Sequence, residues 1–94
     1  MKIYIAGKIT GNPYYIAEFD YHANAYEAEG HIVLNPAELP EGMAKEDYMR
    51  ICFAMIDVAD KVYFLPGWYS SAGASLEYDY CAYIDKPVIL PHEG

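Results

Sequence analysis

Near the end of the chain the sequence reads Leu65-Pro66-Gly67-Trp68-Tyr69-Ser70-Ser71-Ala72-Gly73-Ala74-Ser75-Leu76-Glu77. Ser70 or Ser71 can cap a helix here. Ala72, Gly73 and Ala74 then form a first turn nearly free of side chains, with N–H groups open to an approaching anion. Glu77 lies four residues after Gly73, so it shares that face and has room above it. A carboxylate in the second turn of a helix that points into a cleft is a candidate nucleophile. The ordinary alternative is a solvated surface glutamate. Trp68 has two readings of equal standing: stacking on a nucleobase, or sealing a subunit interface.

A second segment, Gly7-Lys8-Ile9-Thr10-Gly11, is a turn at the end of an apolar run. It is neither a dinucleotide fingerprint nor a Walker loop, which need G-x-G-x-x-G or G-x-x-x-x-G-K-[ST]. Close approach of backbone to a ligand explains it no better than a plain tight turn does. A third segment, Asn35-Pro36-Ala37-Glu38, has the form of a capping box with proline at the first helical position, which predicts one short helical turn.

Periodicity supplies the elements that must position these segments. Lys2 to Ala6 reads as a strand. Tyr14 to Glu29 reads as a helix, with Ile16, Phe19, Ala23 and Tyr26 near helical spacing and Gly30 as its stop. His31 to Leu34 is a short strand. Lys45 to Ala59 is a second helix, with Tyr48, Cys52, Phe53, Ile56 and Ala59 on its core face. Lys61 to Leu65 is a third strand. Ala72 to Ile84 is a third helix, with Leu76, Tyr80 and Tyr83 facing inward. Val88 to Leu90 is a fourth strand. This alternation predicts one α/β domain over residues 1–94. Its form is a minimal doubly wound, flavodoxin- or Rossmann-like parallel sheet in the order 2-1-3-4, flanked by three helices. Ligands bind beyond the carboxyl ends of the strands in such sheets. Gly7 to Gly11, Asn35 to Pro36 and Pro66 to Gly73 converge there.

Composition narrows the partners. Hydrophobic residues make up 54% of the chain, which excludes general disorder. The net charge of −8 and six scattered basic residues do not suit a nucleic-acid duplex or an anionic membrane. A small anion remains possible, because helix-start N–H groups bind one without net positive charge. No run reaches the length of a signal peptide or a membrane span, so a cytoplasmic protein with reduced Cys52 and Cys81 is expected. His22, His31 and His92 are scattered, and neither a metal site nor a cofactor is expected. Eleven tyrosines suit half-buried packing, interfaces and base pockets alike.

Four pieces of the sequence together resemble the nucleoside 2-deoxyribosyltransferase superfamily: Lys2-Ile-Tyr-Ile-Ala-Gly7, Ala59-Asp-Lys-Val-Tyr-Phe-Leu65, Ser70-Ser-Ala-Gly-Ala-Ser-Leu-Glu77 and Asp85-Lys-Pro-Val-Ile89. Asn35-Pro-Ala-Glu-Leu39 and Leu65-Pro-Gly-Trp68 bring it closer to a small uncharacterised branch common in bacteriophages and prophages. The resemblance covers nearly the whole chain. It implies that Glu77 attacks the anomeric carbon of a nucleoside or nucleotide, forming a covalent glycosyl-enzyme that a second base or water resolves. It implies that Tyr4 orients Glu77 through its hydroxyl. It also implies that Ser71 holds a 5′-phosphate, as in the similar deoxynucleoside 5′-monophosphate hydrolases, where the transferases carry aspartate. The superfamily's second acid falls at Cys52, which is not an acid; Asp57 lies on another helical face. Asp60 reads as a structural cap. The resulting expectation is N-glycosidic bond cleavage or transfer by a homodimer or larger even-numbered assembly. A nucleotide-binding module without turnover is the alternative.

Overall fold

The computed structural model describes residues 1–91; His92, one of the scattered histidines, lies outside them. Strand β1 (Lys2–Ala6), helix α1 (Tyr15–Ala28), strand β2 (Ile32–Leu34), helix α2 (Lys45–Val58), strand β3 (Lys61–Phe64), helix α3 (Ala72–Tyr83) and strand β4 (Val88–Ile89) follow one another. Short 3-10 turns occupy Pro36–Glu38 and Trp68–Ser70. The strands form one parallel sheet in the order β2-β1-β3-β4, as the alternation of elements predicts. Element ends fall within one or two residues of those expected from sequence.

Strand alternation divides the core into two layers. Tyr4 and Ala6 of β1 and Val62 and Phe64 of β3 pack with Cys52 and Ile56 of α2 and Cys81 of α3. Ile5 and Leu65 pack on the other face, with Phe19 and Ala23 of α1. Tyr4 sits between Leu34 of β2 and Val62 of β3 in the register, so it is central in the sheet. Asp60 accepts from the Lys2 N–H at 2.8 Å and thereby ties the start of β1 to the α2–β3 junction. No helix among the described residues is long and apolar enough to cross a membrane.

Two expectations about helix faces need correction. Ile16 of α1 is exposed. On α3, Leu76 and Tyr83 face solvent, at 54% and 88% exposure, while Ala74, Glu77 and Cys81 are buried. The expected inward face assumed that the largest apolar side chains pack against the sheet. The space over β1 and β3 is already filled by Tyr4 and Phe64. It admits the smaller Ala74 and Cys81, with Glu77 between them.

Gly7 has a packing reason for being glycine. A Cβ there would lie 2.9 Å from Leu65 Cδ1 and 3.1 Å from Phe19 Cζ, both in fully buried side chains. Gly7→Ala is therefore expected to destabilise the fold by about 1–3 kcal/mol through overpacking. Denaturant unfolding measures this, and an unchanged midpoint would show that the core yields freely.

Candidate active site

Two polar side chains are buried among the described residues, Asn35 and Glu77. Asn35 is occupied structurally. Its Oδ1 caps the 3-10 turn by accepting from Ala37 N–H at 3.0 Å, and its Nδ2 donates to Asp20 at 3.0 Å. Glu77 is different. It is 4% exposed, and the Tyr4 hydroxyl donates to its Oε2. Burial pushes the Glu77 carboxyl up to about 7, and the Tyr4 hydrogen bond works against that rise by favouring the ionised form. Burial, followed by the Glu77 charge, raises the Tyr4 hydroxyl well above its ordinary range, so Tyr4 remains the donor. The Cys52 thiol adjoins the Tyr4 hydroxyl, and burial holds it up at about 11.

Above this pair lies a cleft of about 940 Å³. One wall is the start of α3, where Ser70, Ser71, Ala72, Gly73 and Ala74 line it. Ser71 is the cap, its Oγ accepting from Ala74 N–H at 3.2 Å, whereas Ser70 donates to the Gly67 carbonyl at 2.9 Å. The remaining N–H groups of the first turn are the donors that every helix start leaves without an intrahelical partner. The turn after β1 supplies Gly7, Lys8, Ile9 and Thr10. Pro36, Leu39, Glu41 and Gly42 follow β2, and Lys45, Glu46, Tyr48, Met49 and Cys52 come from α2.

The sequence-predicted residues separate accordingly. Tyr4, Gly7, Lys8, Ile9, Ser70, Ser71, Ala72, Gly73 and Glu77 share the cleft. Gly11, Asn35, Pro66, Gly67 and Trp68 are not among its lining residues. Gly11 and Gly67 take positive φ angles of 79° and 80°, which fits turn closure. The Trp68 ring stacks on Tyr78 at 4.8 Å, tilts against buried Phe64 at 5.0 Å and meets exposed Tyr69 edge-on at 6.0 Å. Sequence reading stopped at Pro36 and missed Glu41, Lys45 and Tyr48. The signal was available: the segment after β2 runs on to Ala44, and the rule that ligands sit beyond strand ends applies to all of it.

A family model described as a domain of unknown function, DUF4406, matches residues 1–90. The chain belongs to that family. No curated protein matches it. The chemistry of this DUF4406 chain must therefore be argued from its own cleft. Among the described residues, no group of His, Cys, Asp and Glu could hold a metal ion.

The raised Glu77 carboxyl makes stability depend on pH. The folded state binds the proton more tightly than the unfolded chain does. Its contribution is therefore complete below the ordinary carboxyl range, near 4.5, and is lost as pH rises through about 7. Glu77→Gln, which carries no charge at any pH, is expected to match the wild type near pH 4. It should exceed the wild type by about 3 kcal/mol at pH 8. Urea unfolding at the two pH values tests this, and equal stability at pH 8 would refute the buried, uncompensated carboxylate.

Proposed function

We propose that the protein cleaves or transfers the N-glycosidic bond of a nucleoside 5′-monophosphate, with Glu77 as nucleophile. The observation that carries the reading is the buried Tyr4–Glu77 pair on the floor of an open cleft, one turn below the bare start of α3. A carboxylate buried to 4% exposure, with the Tyr4 hydroxyl as its donor, is costly to fold around, and active sites are where such groups are retained. In the ionised form Glu77 attacks the anomeric carbon. The nitrogen of the base departs with the bonding electrons, and Tyr4 keeps Oε2 oriented throughout. The resemblance to the nucleoside 2-deoxyribosyltransferase superfamily supports this use of both residues. Because Glu77 titrates near neutrality, both its nucleophilic and its protonated forms are present at working pH.

The other wall supports the nucleotide class. Ser71 and the first-turn N–H groups of α3 offer donors to a phosphate, and Lys8 and Lys45 are the lysines on the cleft wall. Exposed Tyr69 and Tyr83, near the two ends of this region of the chain, and exposed Leu76 on the cleft wall support a homodimer or larger even-numbered assembly. One observation favours the second reading, a binding module without turnover. Cys52, with its thiol held protonated at about 11, lines the cleft where the superfamily places its second acid.

The deciding experiment incubates the protein with a panel of nucleosides and 5′-monophosphates and follows released base by chromatography. Base release is expected from a 5′-monophosphate, and Glu77→Gln is expected to reduce it by at least about a thousandfold. No release from any compound, with binding retained, would favour the module. Calorimetric titration should find a 5′-monophosphate bound about tenfold tighter than its parent nucleoside, since each charge-assisted hydrogen bond contributes about 1.5–3 kcal/mol. Ser71→Asp should reverse that preference by setting a carboxylate against the phosphate. Equal wild-type affinities would remove the phosphate assignment and leave Ser71 as a helix cap.

A further inference from the structure

A glycosyl-enzyme must be resolved by water or another acceptor, and that acceptor must lose a proton. Among the described residues, no histidine serves here. His22 packs against Tyr63 and His31 against Tyr26 and the N-terminal amine, and neither lines the cleft. Besides Glu77, the carboxylates on the cleft wall among the described residues are Glu41 and Glu46. Glu46 stands in the first turn of α2 together with Asp47, where acidic side chains offset the helix dipole. Its presence there has a structural reason.

Glu41 has no such reason. It is exposed, lies outside any helix or strand, and packs in neither core layer. Yet its position is fixed three times over. The Tyr15 hydroxyl donates to its Oε1 at 3.0 Å. On either side of it, the single hydroxyl of Tyr48 donates to the Pro40 carbonyl and accepts from Met43 N–H at 3.3 Å. Gly42, at φ 92°, makes the intervening turn. Binding and catalytic residues are disproportionately found on loops that a rigid scaffold positions in this way. The cleft thus holds two carboxylates, each receiving a tyrosine hydroxyl. Glu77 is buried on the floor, and Glu41 is exposed to solvent at the edge.

Resting on the reading of Glu77 as nucleophile, we propose that Glu41 is the general base that activates the water resolving the glycosyl-enzyme. In the first step a Glu77 oxygen bonds to the anomeric carbon. The carbon–nitrogen bond breaks, and the base nitrogen keeps the electron pair and takes a proton from water, leaving hydroxide. In the second step Glu41 Oε2 takes a proton from another water, whose oxygen bonds to the anomeric carbon. The bond from that carbon to Glu77 breaks, and its electron pair returns to the carboxylate. Protonated Glu41 then neutralises the hydroxide, which closes the cycle.

Glu41→Gln keeps an oxygen for Tyr15 and removes the base. With a 5′-monophosphate, this variant is expected to release about one equivalent of base per site in a burst. Steady turnover should then fall by about a hundredfold or more. Intact-mass measurement should find the sugar phosphate attached to the protein, and digestion should place it on Glu77. Azide, which needs no deprotonation, should restore turnover by forming a glycosyl azide; a loop that merely shapes the cleft would not respond. Wild-type steady turnover in Glu41→Gln would overturn the role, as would loss of the burst or failure of azide to rescue. Those outcomes leave Glu77 as nucleophile untouched. A wild type that releases no base at all overturns the reading of Glu77, and this role with it.

Discussion

The hydrogen bond from Tyr4 to Glu77 is the contact around which the other elements are arranged. Tyr4 reaches the carboxylate from the middle of the sheet, where β2 and β3 flank its strand and fix its backbone on both sides. A strand has no freedom to turn its side chain away without shifting the register of the whole sheet. Helix α3 must therefore come to Tyr4, and it does so by presenting Ala74, Glu77 and Cys81. Small residues above and below the glutamate let the helix backbone approach closely. Cys52 and Cys81 supply buried, weakly polar surroundings that keep their own protons, since burial holds both thiols at about 11. Neither competes strongly with Tyr4 for the carboxylate.

This arrangement works against stability. An ionised carboxylate with few donors is disfavoured in such a place by several kcal/mol. The fold accommodates it partly by letting the group hold a proton at neutral pH. The same compromise suits the role proposed for Glu77, because a carboxyl that titrates near 7 is more basic than an exposed one and a stronger nucleophile when ionised. The apolar residues displaced from the inner face, Leu76 and Tyr83, are exposed instead, Leu76 on the cleft wall. The chemistry of the floor and the unusual surface of α3 thus have one cause.

That cause also explains how much of the molecule was legible from sequence. Strand order, helix limits and a serine cap on α3 follow from local rules, namely periodicity, turn residues and capping chemistry; each is found, and of the two candidate serines it is Ser71 that caps. The inner face of α3 was misread because the periodicity rule assumes an apolar core, and here the decisive buried residue is a glutamate. Trp68 was open between a base platform and an interface, and its rings of contact are Phe64, Tyr69 and Tyr78. Glu41 was invisible because its position rests on a hydrogen bond from Tyr15, distant in sequence, and on Tyr48, which holds the neighbouring Pro40 carbonyl and Met43 N–H. Such partnerships exist only once the chain is folded.

The acid excess of the chain bears on how an anionic ligand could be held at all. Acidic residues outnumber basic ones by fourteen to six. Over distances beyond roughly 8–10 Å this excess is screened at physiological salt. Inside the cleft, contacts decide. Lys8 and Lys45 lie on its walls, and neither takes part in an ion pair among the described residues, where the pair found is His31 with Glu29. In so acidic a protein, lysines left without carboxylate partners at one cleft are available to an incoming anion, and the start of α3 adds N–H donors that carry no net charge. Glu41 and Glu46 on the same walls oppose a ligand that is anionic throughout. They tolerate one whose negative charge is confined to a phosphate at the helix start and whose remainder is neutral. A sugar and base attached to a single phosphate have that distribution.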